Sequence, residues 1–123
     1  MSYERLALEV GATLSGLDVV KPAVIRGTSG VEHRFTFVAA EGPLTYAFDV
    51  YTELGELEVI RTYIKKLDTG ARTLIVCPSG KVKPEARDMS TSYGIEILGP
   101  NEVEDFFGKN VARQAAPTRV PTQ

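Results

Sequence analysis

The fold is decided by residues 32–51, which read EHRFTFVAAEGPLTYAFDVY. Aromatic and β-branched residues are frequent on both sides of Glu41-Gly42-Pro43, and these residue types favour strands. The glycine and proline between the two runs are typical of a hairpin loop. We therefore expect Glu32–Ala40 and Leu44–Tyr51 to be two strands that pair antiparallel.

Side chains alternate between the two faces of a strand, and this alternation fixes the neighbours of Asp49. Asp49 should share its face with Tyr51, while Tyr46, Phe48 and Val50 point to the opposite face. The sequence therefore predicts a carboxylate and a phenol side by side near the end of the second strand.

Helices and strands alternate after the hairpin. The first is a helix with apolar residues at helical spacing, namely Leu57, Ile60, Ile64 and Leu67, and Asp68-Thr69-Gly70 ends it. The later predicted elements are a strand Arg72–Cys77, a helix from Pro84 to about Tyr93, a strand Ile95–Leu98 and a last helix ending near Phe107. Asn101 and Glu104 form a capping box at the start of that last helix. Because strands joined through helices are usually parallel, we expect an α/β fold with a mixed sheet flanked by helices.

A helix is also predicted before the hairpin, from about Ser2 to Leu17, with Ser2 as its N-cap. An extended segment over residues 19–25 follows, and Pro22 suits it to the edge of a sheet. Gly27-Thr28-Ser29-Gly30 has the composition of a turn.

The composition is that of a single globular domain. We expect one domain over residues 1–108 and a flexible tail over 109–123, where alanine and proline replace any periodic apolar pattern. Cys77, the lone cysteine, lies in an apolar run and should be a buried structural thiol. No apolar run is long enough to cross a bilayer, so we expect a cytoplasmic protein with no membrane contact.

Several short motifs resemble the restriction-endonuclease-like superfamily, particularly its Mrr-like and RecB-like nucleases. They are the turn at Gly27–Gly30 with the following Val31–Phe35, then Gly70-Ala71-Arg72, Pro84-Glu85-Ala86-Arg87 and Tyr93–Ile97. The resemblance covers about residues 3–107 and implies a restriction-endonuclease-like fold.

The resemblance also implies a metal site, most of whose positions have changed here. The family holds a divalent cation with an acidic residue on the first hairpin strand and an acidic-x-Lys motif on the second. The first position falls on Thr36, and the motif falls on Asp49-Val50-Tyr51, so Asp49 remains while a tyrosine replaces the lysine. Glu4 matches a helix-borne glutamate of some relatives. Asp49 and Glu4 alone would bind magnesium weakly, because hard cations need several oxygen ligands.

Two classes of function follow from this pattern. The first is a catalytically degenerate protein that acts by binding nucleic acid or a protein partner, without a cofactor and as a dimer. The second is an active endonuclease that uses Mg²⁺ or Mn²⁺, with Glu32, His33 or Glu41 as a replacement ligand. Candidate binding residues are Ser29, His33, Lys65, Lys66, Lys81, Lys83 and Arg87. The net charge of -2 and the pI near 5.4 weigh against a dedicated duplex binder.

Overall fold

A five-stranded mixed sheet forms the middle layer of the computed structural model, which describes residues 2–14 and 16–106. The elements are α1 (Tyr3–Thr13), β1 (Asp18–Val19), β2 (Val24–Arg26), β3 (Glu32–Arg34), β4 (Phe37–Glu41), β5 (Leu44–Val50), α2 (Glu56–Thr69), β6 (Arg72–Val76), a 3-10 turn (Ser79–Lys81), α3 (Pro84–Ser92), β7 (Glu96–Leu98) and α4, a helix over residues 100–106.

The strand order in the main sheet is β1-β4-β5-β6-β7. The predicted hairpin is confirmed, since β4 and β5 pair antiparallel across the loop Gly42-Pro43. β5, β6 and β7 are parallel, as expected for strands connected through helices. The predicted α/β fold with a mixed, helix-flanked sheet is therefore confirmed at the level of its architecture.

The alternation predicted for β5 places its side chains in two different cores. Tyr46, Phe48 and Val50 pack with buried residues of α1 on one face of the sheet. On the other face, Ile75 of β6 and Val59 of α2 belong to a second cluster with the buried residues of α3. Asp49 points to this second face, toward α2.

The first predicted strand is in fact two short strands in different sheets. β3 pairs with β2 in a separate two-stranded sheet, whereas β4 belongs to the main sheet. The break falls at Phe35 and Thr36. Phe35 is buried with Ala23 and Ile25, so the small sheet packs on the main sheet instead of extending it.

The segment over residues 19–25 is likewise divided around Pro22. β1 lies at the edge of the main sheet, as the proline suggested, but β2 pairs with β3. The first helix is shorter than predicted, ending at Thr13, with Leu14 as its C-cap. The Ser2 side chain accepts the amide of Arg5, as predicted for the N-cap.

The predicted second helix is confirmed as α2. Its helix ends at Gly70, which has a φ of 69° as expected for a glycine C-cap. However, its core-facing residues are Val59 and Thr62, and the four apolar residues that define its periodicity are exposed: Leu57, Ile60, Ile64 and Leu67. The residues that identify α2 from the sequence are therefore not the residues that pack on the core.

The start of α4 also differs from the prediction. The Gly99 amide donates to Glu102 Oε1 at 2.7 Å, so the cap lies two residues before the predicted pair of Asn101 and Glu104. The predicted end near Phe107 and the predicted tail over 109–123 lie outside the described residues. Within the described residues, no helix combines the length and the apolar character that crossing a lipid bilayer requires.

Candidate functional site

An open cleft of about 570 Å³ lies at the carboxyl end of β5. Ligand sites of α/β proteins commonly occupy this position, because loops leaving the carboxyl ends of parallel strands converge there. The cleft is lined by Thr36, Asp49 and Tyr51 together with residues of α1, of the loop before α2, of α2 and of the α3 N-cap. Three positions singled out from the sequence therefore meet in one place.

Asp49 is almost fully buried and its carboxylate already has two strong partners. The Lys65 ammonium lies 2.7 Å from Asp49 Oδ2, and the Thr62 hydroxyl donates to the same oxygen at 2.7 Å. Both partners come from the sheet-facing side of α2. The negative charge of the Asp49 carboxylate is thus neutralised by a side-chain ammonium.

Lys65 is itself held in place by two further contacts. Its ammonium donates to the Arg34 carbonyl oxygen at 2.8 Å and lies 4.5 Å from the centre of the Phe35 ring. These contacts satisfy the ammonium inside the protein. Lys65 was predicted as a surface residue for binding a ligand, and the structure instead makes it the internal counter-ion of Asp49.

Tyr51 extends this network toward the cleft. Its hydroxyl lies 3.0 Å from Thr62 Oγ1, and because Thr62 donates its proton to Asp49, Tyr51 is the donor in this pair. Burial, followed by the negative charge of Asp49, raises the pKa of Tyr51 to about 12. The phenol therefore acts as a neutral hydrogen-bond donor at physiological pH.

Thr36 lines the same cleft as Asp49, and its hydroxyl has a structural partner. Thr36 Oγ1 accepts the backbone amide of Val50 at 3.1 Å, and the Tyr3 hydroxyl lies 3.4 Å away. The Thr36 amide donates to the Phe48 carbonyl oxygen at 2.9 Å. Thr36 thus connects the start of β4 to the end of β5, and it supplies a neutral hydroxyl to the cleft.

The donors in the cleft do not fit a divalent cation. Asp49 is one carboxylate whose Oδ2 is already engaged by Lys65 and Thr62, and Thr36 offers a neutral oxygen. Hard cations such as Mg²⁺ are held by several oxygen ligands, with carboxylates prominent among them. Among residues 2–14 and 16–106, no group of three or more His, Cys, Asp or Glu side chains is placed to hold a metal ion.

The replacement ligands proposed from the sequence lie away from Asp49. Glu41 pairs with Leu44 at the opposite end of β5, roughly 16 Å from Asp49 at the rise of a strand. Glu32 pairs with Arg26 in the small sheet, and His33 is bonded to Asp68. Among the described residues, none of the three forms a metal-binding group with Asp49.

Charged residues of both signs surround the mouth of the cleft. Glu53 and Glu58 line it together with Arg61 and Lys83. Glu58 also caps α2, since its Oε1 accepts the Gly55 amide at 2.8 Å. The rim therefore carries no excess of positive charge.

Glu4 does not reach this cleft. It lines a separate shallow groove of about 350 Å³ on α1, together with small residues of that helix, Leu8 and Phe37. Tyr3, its neighbour in sequence, lies at the cleft instead. Glu4, which the family resemblance singled out, therefore lines a different groove from Asp49.

Ser29 and His33 belong to a cluster around Asp68, here called the Asp68 clip. The Asp68 carboxylate accepts from the hydroxyl of Thr28, from the amide and hydroxyl of Ser29, and bonds His33 Nε2 at 2.7 Å. These bonds, the Ser29 hydroxyl first and His33 second, hold the pKa of Asp68 well below its usual range. The clip fastens the β2–β3 turn to the end of α2.

The remaining basic candidates are dispersed. Lys83 lines the cleft, whereas Arg87 lines a groove of about 390 Å³ between α3 and β7. Lys81 is exposed on the 3-10 turn, and Lys66 lies in the last turn of α2. The predicted binding residues therefore do not form one surface.

Sequence reasoning missed Thr62 and Asp68. Thr62 and Lys65 are three residues apart on α2, on the same side of the helix as buried Val59, and residues at this spacing are neighbours on a helix surface. That spacing was a usable signal for Thr62. No comparable local signal marks Asp68, because its partners lie 35 to 40 residues earlier in the chain.

Comparisons with known proteins place the fold without assigning a family. No protein-family model matches the chain, and no curated protein matches it. Among solved structures, it is similar to the crystal structure of AF1548, a protein of unknown function, with a TM-score of 0.62 and 20% sequence identity. The match covers 79% of this chain and 57% of AF1548, so this chain spans little more than half the length of AF1548. A similarity at this identity supports a shared fold alone.

Proposed function

We propose that this chain is a catalytically degenerate, Mrr-like protein of the restriction-endonuclease-like fold that acts by binding and not by cleavage. The observation that supports this most directly is the Lys65–Asp49 ion pair of 2.7 Å. An ammonium at hydrogen-bond distance from the one retained acidic ligand repels a second cation from the same oxygen. Thr36 adds no charge to attract one.

The proposal depends on the resemblance to the superfamily and on the residue changes at the positions that match its metal site. The motifs that resemble the superfamily bring Thr36, Asp49 and Tyr51 to the same end of the same two strands. In a working nuclease of that family, these positions hold the metal and a charge-stabilising lysine. Here they form internal hydrogen bonds that stabilise the protein. The cleft therefore keeps the position of the family's site and lacks its metal ligands and its lysine.

A protein partner is favoured over nucleic acid. Nucleic-acid affinity depends mainly on Lys and Arg contacts with phosphates, and it needs a coherent basic surface. At the cleft, Arg61 and Lys83 are balanced by Glu53 and Glu58, and the net charge of the chain is -2. Lys65 is unavailable because it is paired with Asp49.

Two assays test this proposal with the full-length chain. First, we expect no cleavage of duplex, junction or single-stranded DNA with Mg²⁺ or Mn²⁺, and no stoichiometric heat of Mn²⁺ binding by calorimetry. Second, mobility shifts with the same DNAs at low and moderate salt should show no specific complex. Tight, stoichiometric Mn²⁺ uptake that Asp49→Asn removes would overturn the degenerate assignment.

The alternative is an active endonuclease with a relocated carboxylate, and one feature favours it. Glu53 lines the same cleft as Asp49, in the loop between β5 and α2, and its side chain is exposed. If cleavage is observed, Asp49→Ala and Glu53→Gln should both abolish it, while Glu32→Gln in the small sheet should leave it unchanged. DNA binding without cleavage, weakened by Arg61→Ala or Lys83→Ala but not by Lys66→Ala, would identify nucleic acid as the ligand.

A further inference from the structure

An open groove of about 390 Å³ lies between α3 and β7, here called the α3–β7 groove. It is lined by Arg87, Ser90 and Thr91 of α3 and by residues 94–97, and none of these lines the cleft at Asp49. Its volume falls in the lower part of the range found for small-molecule sites. The groove is therefore large enough for a small ligand, and it is independent of the cleft.

Ser90 is the lining residue that points to a ligand. Its side chain is 1% exposed, and within residues 2–14 and 16–106 its hydroxyl has no hydrogen-bond partner. The other buried side-chain oxygens and nitrogens of these residues are all bonded. Because a buried hydroxyl is stable only when it is hydrogen-bonded, Ser90 calls for a partner from outside the chain. The groove that Ser90 lines is the place from which such a partner can reach it.

Arg87 supplies a positive charge next to this hydroxyl. It lies three residues before Ser90 on α3, and residues at this spacing are neighbours on a helix surface. In the part of the chain that the structure describes, the Arg87 guanidinium forms no ion pair. A carboxylate has two acceptor oxygens, so it can accept from the guanidinium and the hydroxyl at the same time.

The opposite wall of the groove favours a ligand with a single negative charge and an apolar body. Ile95 and Ile97 offer aliphatic contacts there. Glu96 is the second charged residue of the lining, and its carboxylate lies 3.1 Å from the Arg72 guanidinium. A dianion such as phosphate would lie near this second carboxylate and would find Arg87 as the one cation of the lining.

We propose that the α3–β7 groove binds a small aliphatic monocarboxylate. The ligand carboxylate accepts hydrogen bonds from the Arg87 guanidinium and the Ser90 hydroxyl, and its hydrocarbon part lies against Ile95 and Ile97. This goes beyond the proposed function, because the two sites share no residue. A ligand of about six non-hydrogen atoms should bind in the millimolar range, about 0.1–10 mM.

Titration of the isotope-labelled full chain with butyrate, followed by two-dimensional NMR, tests the proposal. The backbone amides of residues 90–97 should shift together and saturate with one dissociation constant. Arg87→Gln should weaken binding by at least about fivefold, because the charge is lost, and Ser90→Ala by at least about threefold. Arg5→Gln is the matched control, since Arg5 is an exposed arginine on α1 outside the groove, and it should bind butyrate like wild type.

Two comparison ligands test the chemistry of the site. Butyramide has the shape of butyrate without its charge, so it should bind at least about fivefold more weakly, and inorganic phosphate should bind more weakly than butyrate. Equal affinity for butyramide would overturn the role of Arg87, and tighter binding of phosphate would overturn the choice of a monocarboxylate. No saturable shift of residues 90–97 up to about 50 mM butyrate would overturn the proposal as a whole.

Urea unfolding of the ligand-free Ser90→Ala variant tests the observation behind the proposal. Because the hydroxyl has no partner among the described residues, its removal should leave the urea midpoint unchanged or raise it. A lower midpoint would show that the hydroxyl is bonded within the protein and would overturn the assignment. Butyrate binding to Ser90→Ala as tight as to wild type would overturn it as well, since an ordered water alone would then satisfy Ser90.

Discussion

Removal of the Lys65 ammonium should destabilise the protein more than any other single change at the cleft. Lys65→Met keeps the length of the aliphatic stem and deletes the charge that contacts Asp49 Oδ2 at 2.7 Å and the Arg34 carbonyl oxygen at 2.8 Å. Asp49 is 4% exposed, so its carboxylate would be left buried with the Thr62 hydroxyl as a donor and without a neutralising cation. The consequence is an uncompensated negative charge.

The magnitude follows from the burial of the pair. Breaking a buried ion pair by removing one partner costs about 3–5 kcal/mol. The Lys65 side chain retains 18% exposure, which admits some water, so we expect a loss in the free energy of unfolding near the lower bound, about 3 kcal/mol. With a urea m-value of about 1.3 kcal/mol/M for a domain of this size, the midpoint should fall by about 2 M.

A double-mutant cycle separates the charge from the loss of packing. Asp49→Asn alone should cost about 1–2 kcal/mol, because the amide oxygen still accepts from Thr62 and Lys65 keeps its other contacts. Lys65→Met/Asp49→Asn should be more stable than Lys65→Met, since the buried charge is gone, which gives a coupling of about 2 kcal/mol.

Equilibrium urea unfolding, followed by circular dichroism, is the measurement. Lys66→Met is the matched control on the neighbouring residue of α2, and it should change the free energy of unfolding by no more than about 0.5 kcal/mol. If Lys65→Met were as stable as Lys66→Met, or if the two sites were additive, the Asp49 carboxylate would not depend on its internal counter-ion and the account of the cleft would be wrong.

Three further predictions concern other parts of the molecule. Gly27→Ala should lower the free energy of unfolding by about 2 kcal/mol, because a Cβ at this buried position would collide with the Asp68 carboxylate, whereas Gly80→Ala, with open space around it, should be close to neutral in urea unfolding. Because the pKa of Asp68 is lower in the folded state, its ionised carboxylate stabilises the protein at pH values above about 4, the pKa of the unfolded carboxyl group, and this stabilisation is lost as the pH falls further. Between about pH 5 and pH 2.5, the urea midpoint of Asp68→Asn should therefore fall less steeply than that of wild type, and equal slopes would refute this. Burial raises the pKa of the Cys77 thiol to about 11, so Ellman's reagent at about pH 8 should react with Cys77 only as fast as the protein unfolds, and rapid labelling of the native protein would contradict its buried position.

The main sheet could be predicted because its signals are local. Gly42 and Pro43 mark the hairpin turn, and Gly70 and Pro84 mark a helix end and a helix start, each by its own backbone preference. The division between β3 and β4 could not be read in this way. The residues at the break, Phe35 and Thr36, both favour strands, and it is the packing of Phe35 beneath the small sheet that separates them.

The buried side of α2 shows where periodicity fails. Apolar spacing identifies a helix and normally also its core face, since apolar residues are usually the buried ones. In α2 the core side includes Thr62 and Lys65, which are polar because they serve Asp49, and the regular apolar residues face outward. A hydropathy pattern identifies a helix, and it does not by itself identify which side of the helix is buried.

The position of the cleft could be predicted, and its chemistry could not. The family resemblance implied that Thr36, Asp49 and Tyr51 belong to one site, and all three line the same cleft. The partner of Asp49 could not be found from the motif because Lys65 lies on a different element, 16 positions along the chain. Glu4 was misplaced because one residue along a helix is a rotation of about 100°, enough to exchange Tyr3 for Glu4 at the cleft.

The two outermost strands of the main sheet are short, with two residues in β1 and three in β7. An edge strand presents unpaired backbone amides and carbonyls to which another extended chain can bind. A short edge strand limits this pairing to a few hydrogen bonds. The addition of a strand from another polypeptide, or stacking into fibrils, would therefore gain few hydrogen bonds at these edges. Lengthening either edge strand by a few valines should therefore increase aggregation.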